Sequence, residues 1–148
     1  MHSDFIDLLS TFNAHGVDYL VVGAHALAAH GLIRATKDLI VFVRPDDDNA
    51  PRVFRALAAF GAPLQDLSEQ DLQTPGLVFQ IGVPPVRIDV ITAIDGVEFE
   101  DAWQSRVTAK LGDVEVPVLS RQHLIANKTK AGRKQDLADV EWLEKNGG

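Results

Sequence analysis

Hydrophobic positions along the chain follow two periods in turn. Phe5, Leu8, Leu9 and Phe12 recur at helical spacing. They predict a helix over residues 3–15, with Ser3 as its N-cap and Gly16 as its stop. Residues 18–22 (DYLVV) then read as a short buried strand, followed at once by Gly23 and an alanine-rich helix over 24–30. The run 38–43 (DLIVFV) is nearly all apolar, as in a central strand covered on both faces. Asp46, Asp47 and Asp48 suit the positive end of a further helix, whose inner face is Val53, Phe54, Leu57 and Phe60.

The second half alternates more quickly. Ser68 to Asp71 resembles a capped helical turn. Strands are expected at 77–82 and 86–92 around Pro84-Pro85, and again at 106–111 and 114–119 around the turn Gly112-Asp113. A short helix is expected at 98–104. Ser120 caps a helix to about residue 130, Gly132 breaks it, and a last helix spans 134–145. This order predicts an α+β fold, a mixed central sheet flanked by helices with two helices at the C-terminal end.

Composition narrows the class. The chain has 148 residues, 46% of them apolar, which matches one domain over 1–148 with a core of its own. It has no cysteine, so disulfide frameworks and cysteine-ligated metals are excluded. The net charge of −7 weighs against a nucleic-acid coat or an anionic membrane surface as partner. No segment has the length of a membrane span, and the start MHSDFIDLL lacks the features of a signal peptide, so a cytoplasmic protein without membrane contact is expected. Arg121, Lys128, Lys130, Arg133 and Lys134 form a basic stretch without an acid, which reads either as a local anion site or as a solvated helix face.

Candidate chemistry concentrates in residues 19–43. A strand ending in glycine at a helix start can cradle phosphate, although many strand–helix corners need glycine for geometry alone. Asp38 heads the apolar run 38–43, and Asp89 stands between Ile88 and Val90 in another strand. A carboxylate in such surroundings needs a partner. Either each acid pairs with an arginine such as Arg34 or Arg87, or both converge on a divalent cation. Lys128 falls toward the buried side of its helix, where a carboxylate from residues 136–139 or a ligand phosphate would satisfy it. Arg34, Thr36 and Lys37 could contact phosphate or stay solvated. His25 and His30 are five apart and so lack the spacing of a zinc-binding helix pair. His15 and His123 suit surface or capping roles, and Trp103 and Trp142 suit the core.

The window VVGAHALAAHGLIRATKDLIVFV (21–43), together with RIDVIT (87–92) and LIANKTKAGRKQDLADVEWL (124–143), resembles the polymerase-beta-type nucleotidyltransferase superfamily. Small bacterial members of it include abortive-infection nucleotidyltransferase toxins and aminoglycoside nucleotidyltransferases. The resemblance implies a nucleotidyltransferase-like sheet and transfer of a nucleoside monophosphate from a nucleotide triphosphate to an acceptor: an RNA, a protein or a small molecule. It implies Asp38 and Asp89 as catalytic and metal-binding acids, with Mg²⁺ or Mn²⁺ as cofactor. Gly23, Ala24, Arg34, Thr36 and Lys128 would then bind nucleotide.

Two positions depart from the pattern. Ala24 stands where the family has Gly or Ser, and Ile40 stands where it has the second acid. Two-metal chemistry stabilises charge on both the entering and leaving oxygens. Losing one metal ligand would cost about 4 kcal/mol of that stabilisation, roughly a thousandfold in rate. Burying isoleucine instead contributes on the order of 1.5–3 kcal/mol to the fold. The resemblance therefore implies an impaired transferase, or an inactive module that binds nucleotide or a protein partner, as in a toxin–antitoxin pair.

Overall fold

The computed structural model describes residues 1–33, 38–83 and 86–146. Among them, one mixed sheet contains β1 (Tyr19–Val22), β2 (Asp38–Val43), β3 (Val78–Val83), β4 (Val86–Ile91), β5 (Val107–Leu111) and β6 (Val114–Val118). The spatial order is β3-β4-β2-β1-β6-β5. Its helices are α1 (Ser3–Ala14), α2 (Gly23–Ala29), α3 (Asn49–Phe60), α4 (Phe99–Gln104), α5 (Arg121–Ala131) and α6 (Lys134–Asn146). The expected α+β architecture with C-terminal helices is the one observed.

Pairing sets the two faces of the sheet. β2 runs antiparallel to β1 and parallel to β4, while β3–β4 and β5–β6 are antiparallel hairpins. Side chains alternate along each strand, so one face carries Tyr19, Val21, Leu39, Val41, Val43, Ile88 and Val90. All seven are buried, and α1 meets this face through Phe12, edge-on to Tyr19 with ring centroids 5.3 Å apart. α3 packs against α1 with Val53, Ala56 and Leu57 buried. Each fully buried aliphatic side chain here contributes about 1.5–3 kcal/mol. The opposite face carries Val22, Asp38, Ile40, Phe42, Arg87 and Asp89 in neighbouring register positions. There Phe42 meets Phe99 of α4 edge-on at 5.0 Å. β3 forms one edge of the sheet and leaves Val78 and Val83 exposed.

Local chemistry explains most element ends. Ser120 accepts a hydrogen bond from the His123 amide and caps α5, and Gly132 closes that helix in the left-handed region at φ 70°. Ser68 and Asp71 exchange side-chain-to-amide hydrogen bonds, which builds the expected capped turn. Two expectations are corrected. The N-cap of α1 is His2, whose Nδ1 accepts from the Asp4 amide, while Ser3 is already helical. Asp46 to Asp48 precede α3 rather than form its first turn; Asp46 Oδ1 accepts from the Asn49 amide and so holds the helix start from outside.

Asn49 ties this helix to the sheet. Its side chain is buried, accepts from the Asp18 amide at 2.8 Å, and donates to the carbonyls of Asp18 at 2.9 Å and Arg44 at 3.1 Å. Those groups flank β1 and β2. Asn49→Ala leaves the Asp18 amide without its acceptor, while the two carbonyls keep their bonds from the Arg44 and Asp46 amides, and should lower the unfolding free energy by about 1–3 kcal/mol. Replacement of exposed Asp47 by Ala should change it by about 0.5 kcal/mol or less. Urea denaturation of the two variants measures the difference.

Candidate functional site

The parallel register of β2 and β4 places Asp38 opposite Arg87 and Ile40 opposite Asp89. All four side chains therefore share one face. Arg87 Nη2 lies 3.0 Å from Asp38 Oδ2, and Arg87 Nε lies 3.2 Å from Asp89 Oδ1. Nη2 also donates to Asp89 Oδ2 at 3.3 Å. The two acids thus meet on one guanidinium, as in the arginine-paired alternative named from the sequence. Burial pushes the Asp89 carboxyl above its ordinary range, Arg87 pulls it back, and the Asp38 charge pushes it up again. Arg87 Nε and Asp89 Oδ1 are both buried and have no geometrically satisfactory hydrogen bond among the described residues.

Ile40 occupies the centre of this face. A Cβ built on Gly23 would stand 3.1 Å from Ile40 Cδ1, so the isoleucine lies directly over the glycine corner. Gly23 has φ +71°, a backbone state that other residues adopt only with strain. Ile40 and Gly23 both line a cleft of about 460 Å³, whose wall also includes Asp95, Asn127, Lys128 and Arg133. Gly23 and Lys128 are thus brought to one cavity. Asp38, Asp89 and Ala24 are not part of its wall. Arg34 and Thr36 lie outside the described residues.

Lys128 is satisfied from within. Its Nζ lies 3.2 Å from Asp136 Oδ1 and 3.0 Å from Asp139 Oδ2, and both acids are almost fully buried. Arg133 also binds Asp136, with Nε 2.6 Å from Oδ2. Arg121 donates to the carbonyls of Leu143 and Glu144 at the end of α6. The basic stretch thus works largely as the counter-ion and capping surface for α6. Among the two readings of Lys128, the carboxylate partner is the one present.

A second group escaped the sequence reading. Arg44, directly after β2, lies 3.0 Å from Asp18 and also pairs with Glu100. Its guanidinium stands 4.8 Å above the Phe99 ring and 5.5 Å from that of Trp103. Arg44 lines a separate cleft of about 400 Å³ with Phe42, Asp46 and Glu100. Its position at the end of an apolar run was the available signal. Trp103 and Trp142 are half-buried and pack against the outside of the core, and Trp103 stacks on Phe99 and faces Arg106 at 3.9 Å. His25 packs edge-on to Phe5, and burial holds its pKa below the usual value.

Residues 1–146 match the family described as "Nucleotidyl transferase of unknown function (DUF2204)". The chain belongs to this family. No curated protein matches it in sequence. Solved nucleotidyltransferase structures share its fold. It aligns with the lincomycin-bound lincosamide antibiotic adenylyltransferase LnuA at TM-score 0.61 and 12% identity, over 97% of this chain and 96% of that one. A candidate nucleotidyltransferase from Thermotoga maritima gives TM-score 0.63 at 15% identity, covering 95% and 91%. The antibiotic-resistance factor ANT(2'')-Ia gives 0.63 at 12%, covering 99% and 83%.

The residues of this nucleotidyltransferase-family member do not fit the divalent cations that the resemblance implies. Among the described residues, no group of three or more His, Asp or Glu side chains could hold a metal ion. Asp38 and Asp89 face a guanidinium, and Ile40 offers no oxygen between them. Mg²⁺ requires near-octahedral oxygen coordination. No helix among the described residues is long and apolar enough to cross a membrane.

The ion-paired Asp136 sets a pH dependence. The Arg133 hydrogen bond, with further help from Lys128, outweighs burial and holds its carboxyl below the usual range. Its contribution is complete above the unfolded carboxylate pKa of about 3.9 and disappears as pH falls through the lower folded value. Asp136→Asn should destabilise the chain at pH 7 by about 1–2 kcal/mol, because Lys128 keeps Asp139 alone and the exposed Arg133 loses its ion pair. At pH 2–3 the gap between variant and wild type should narrow, which urea midpoints at both pH values measure.

Proposed function

We propose that this chain is a nucleotide-binding protein of nucleotidyltransferase fold in which metal-dependent transfer is impaired at residue 40. The single observation behind this reading is Ile40 itself, opposite Asp89 and two positions along the strand from Asp38. That is the position at which the superfamily resemblance expects an acid. The reaction in question moves a nucleoside monophosphate from a nucleotide triphosphate to an RNA, protein or small-molecule acceptor. Asp38 and Asp89 are the two acids of the site. Gly23 and Lys128 border the nucleotide cleft, whose volume suits a small-molecule ligand. Ala24, Arg34 and Thr36 are assigned to the nucleotide on the sequence resemblance alone.

The balance of energies supports this reading. An absent metal ligand at the reacting phosphate is worth about 4 kcal/mol, roughly a thousandfold in rate. The replacing side chain instead packs against the hydrophobic core and covers the glycine corner. Position 40 has thus exchanged catalytic charge for packing.

Ile40→Asp tests this directly. The variant should transfer labelled nucleotide to acceptor RNA, protein or solvent at least about a hundredfold faster than wild type in Mn²⁺. Its unfolding free energy should fall by about 1–3 kcal/mol. Equal rates in two folded proteins would overturn the impaired-transferase reading and favour a module that binds nucleotide or a protein partner without chemistry.

A further inference from the structure

We propose that Arg87 is a built-in replacement for the divalent cation of this site, so that the wild-type chain holds Asp38 and Asp89 together without metal and binds none between them. The inference rests on the reading of these two acids as the nucleotidyltransferase pair. It goes beyond that reading by assigning a role to the cation that joins them.

Three observations carry it. First, backbone pairing fixes the guanidinium: Arg87 is directly opposite Asp38 and two positions before Asp89, on the same face. Second, it reaches both acids at once, at 3.0 Å and 3.2 Å, so its single positive charge already stands where their negative charges converge. Third, Asp89 is nine-tenths buried, and its Oδ1 has no hydrogen-bond partner except the nearby charge of Arg87 Nε. Arg87 Nε is itself buried without a well-formed hydrogen bond, so the two atoms are held against each other by charge.

The donor set disfavours exchange in the other direction too. A divalent cation in this place would find two carboxylates already facing N–H groups, and a hydrocarbon at position 40. Carboxylate-bound Mg²⁺ sites gather several oxygens around the ion. The guanidinium needs only the two acids, because its planar fork presents donors in several directions. It therefore does for electrostatics what a metal would do, while lacking the Lewis acidity that activates phosphate.

Water-proton relaxation with Mn²⁺ tests the inference without any activity measurement. Full-length wild type should give no enhancement above that of Asp89→Asn, and its Tm should be the same in EDTA and in millimolar Mn²⁺. Arg87→Gln should melt lower in EDTA and gain Mn²⁺ binding, at least about tenfold tighter than wild type. A further Asp89→Asn in that background should remove the gain. Arg87→Lys keeps a cation on the same strand position, should fold, and should again exclude Mn²⁺. Wild-type binding of Mn²⁺ that depends on Asp38 and Asp89 would overturn the proposal. So would a folded Arg87→Gln chain that gains none. Should Arg87→Gln fail to fold, the wild-type and Arg87→Lys measurements decide alone. Mn²⁺ gained by Arg87→Gln, with no transfer gained when Ile40→Asp is added to that variant, would uphold this inference and sink the impaired-transferase reading.

Discussion

The parallel pairing of β2 with β4 governs everything the site does. It puts residues 38, 40, 87 and 89 on one face, two from each strand and directly opposed. A slip of one residue would turn all the side chains of one strand to the other face. That face is lined by Leu39, Val41, Ile88 and Val90 and holds no water-accessible room for charge. The apolar side of each strand therefore enforces the register, and the register delivers the polar side. Hydrophobic burial positions the carboxylates more firmly than their own ion pairs do.

Charge in this acidic chain is settled locally. Arg87 serves Asp38 and Asp89, Lys128 serves Asp136 and Asp139, and Arg44 serves Asp18 and Glu100. Each cation sits where two separate segments meet: β2 with β4, α5 with α6, and the end of β2 with α4. These pairs act as fasteners between elements. Their placement also explains why the basic stretch near residue 130 does not form an open anion track.

Much of the architecture was legible in the residues. The apolar run 38–43 announced a central strand, and Gly112-Asp113 and Ser120 marked a turn and a cap that the fold uses. Such signals are local, and they survive tertiary packing because they satisfy the backbone where they stand. The candidate site was legible in part. An acid in an apolar strand signalled Asp38 and Asp89, but their shared partner depends on strand order, which periodicity does not encode. The clustering of Arg44 with Phe99 and Trp103 was missed for the same reason, since Arg44 lies more than fifty residues before both rings in sequence. Capping by His2 rather than Ser3 was missed because either side chain can accept from an amide in the first turn, and the choice follows the entry angle of the chain.

The bare edge of the sheet has a practical side. From Leu72 to Val86 the chain carries no charge, and β3 within that span exposes Val78 and Val83 beside an unpaired row of backbone groups. Such an edge invites another strand, and many proteins guard theirs with lysine or a bulge. Here the guard is long-range: a net charge of −7 keeps separate molecules apart. That protection fades in concentrated salt, where the screening length shrinks to about 3 Å at 1 M, and near the isoelectric point of about 5.1. Colloidal stability of this molecule is therefore a property of its solvent as much as of its fold.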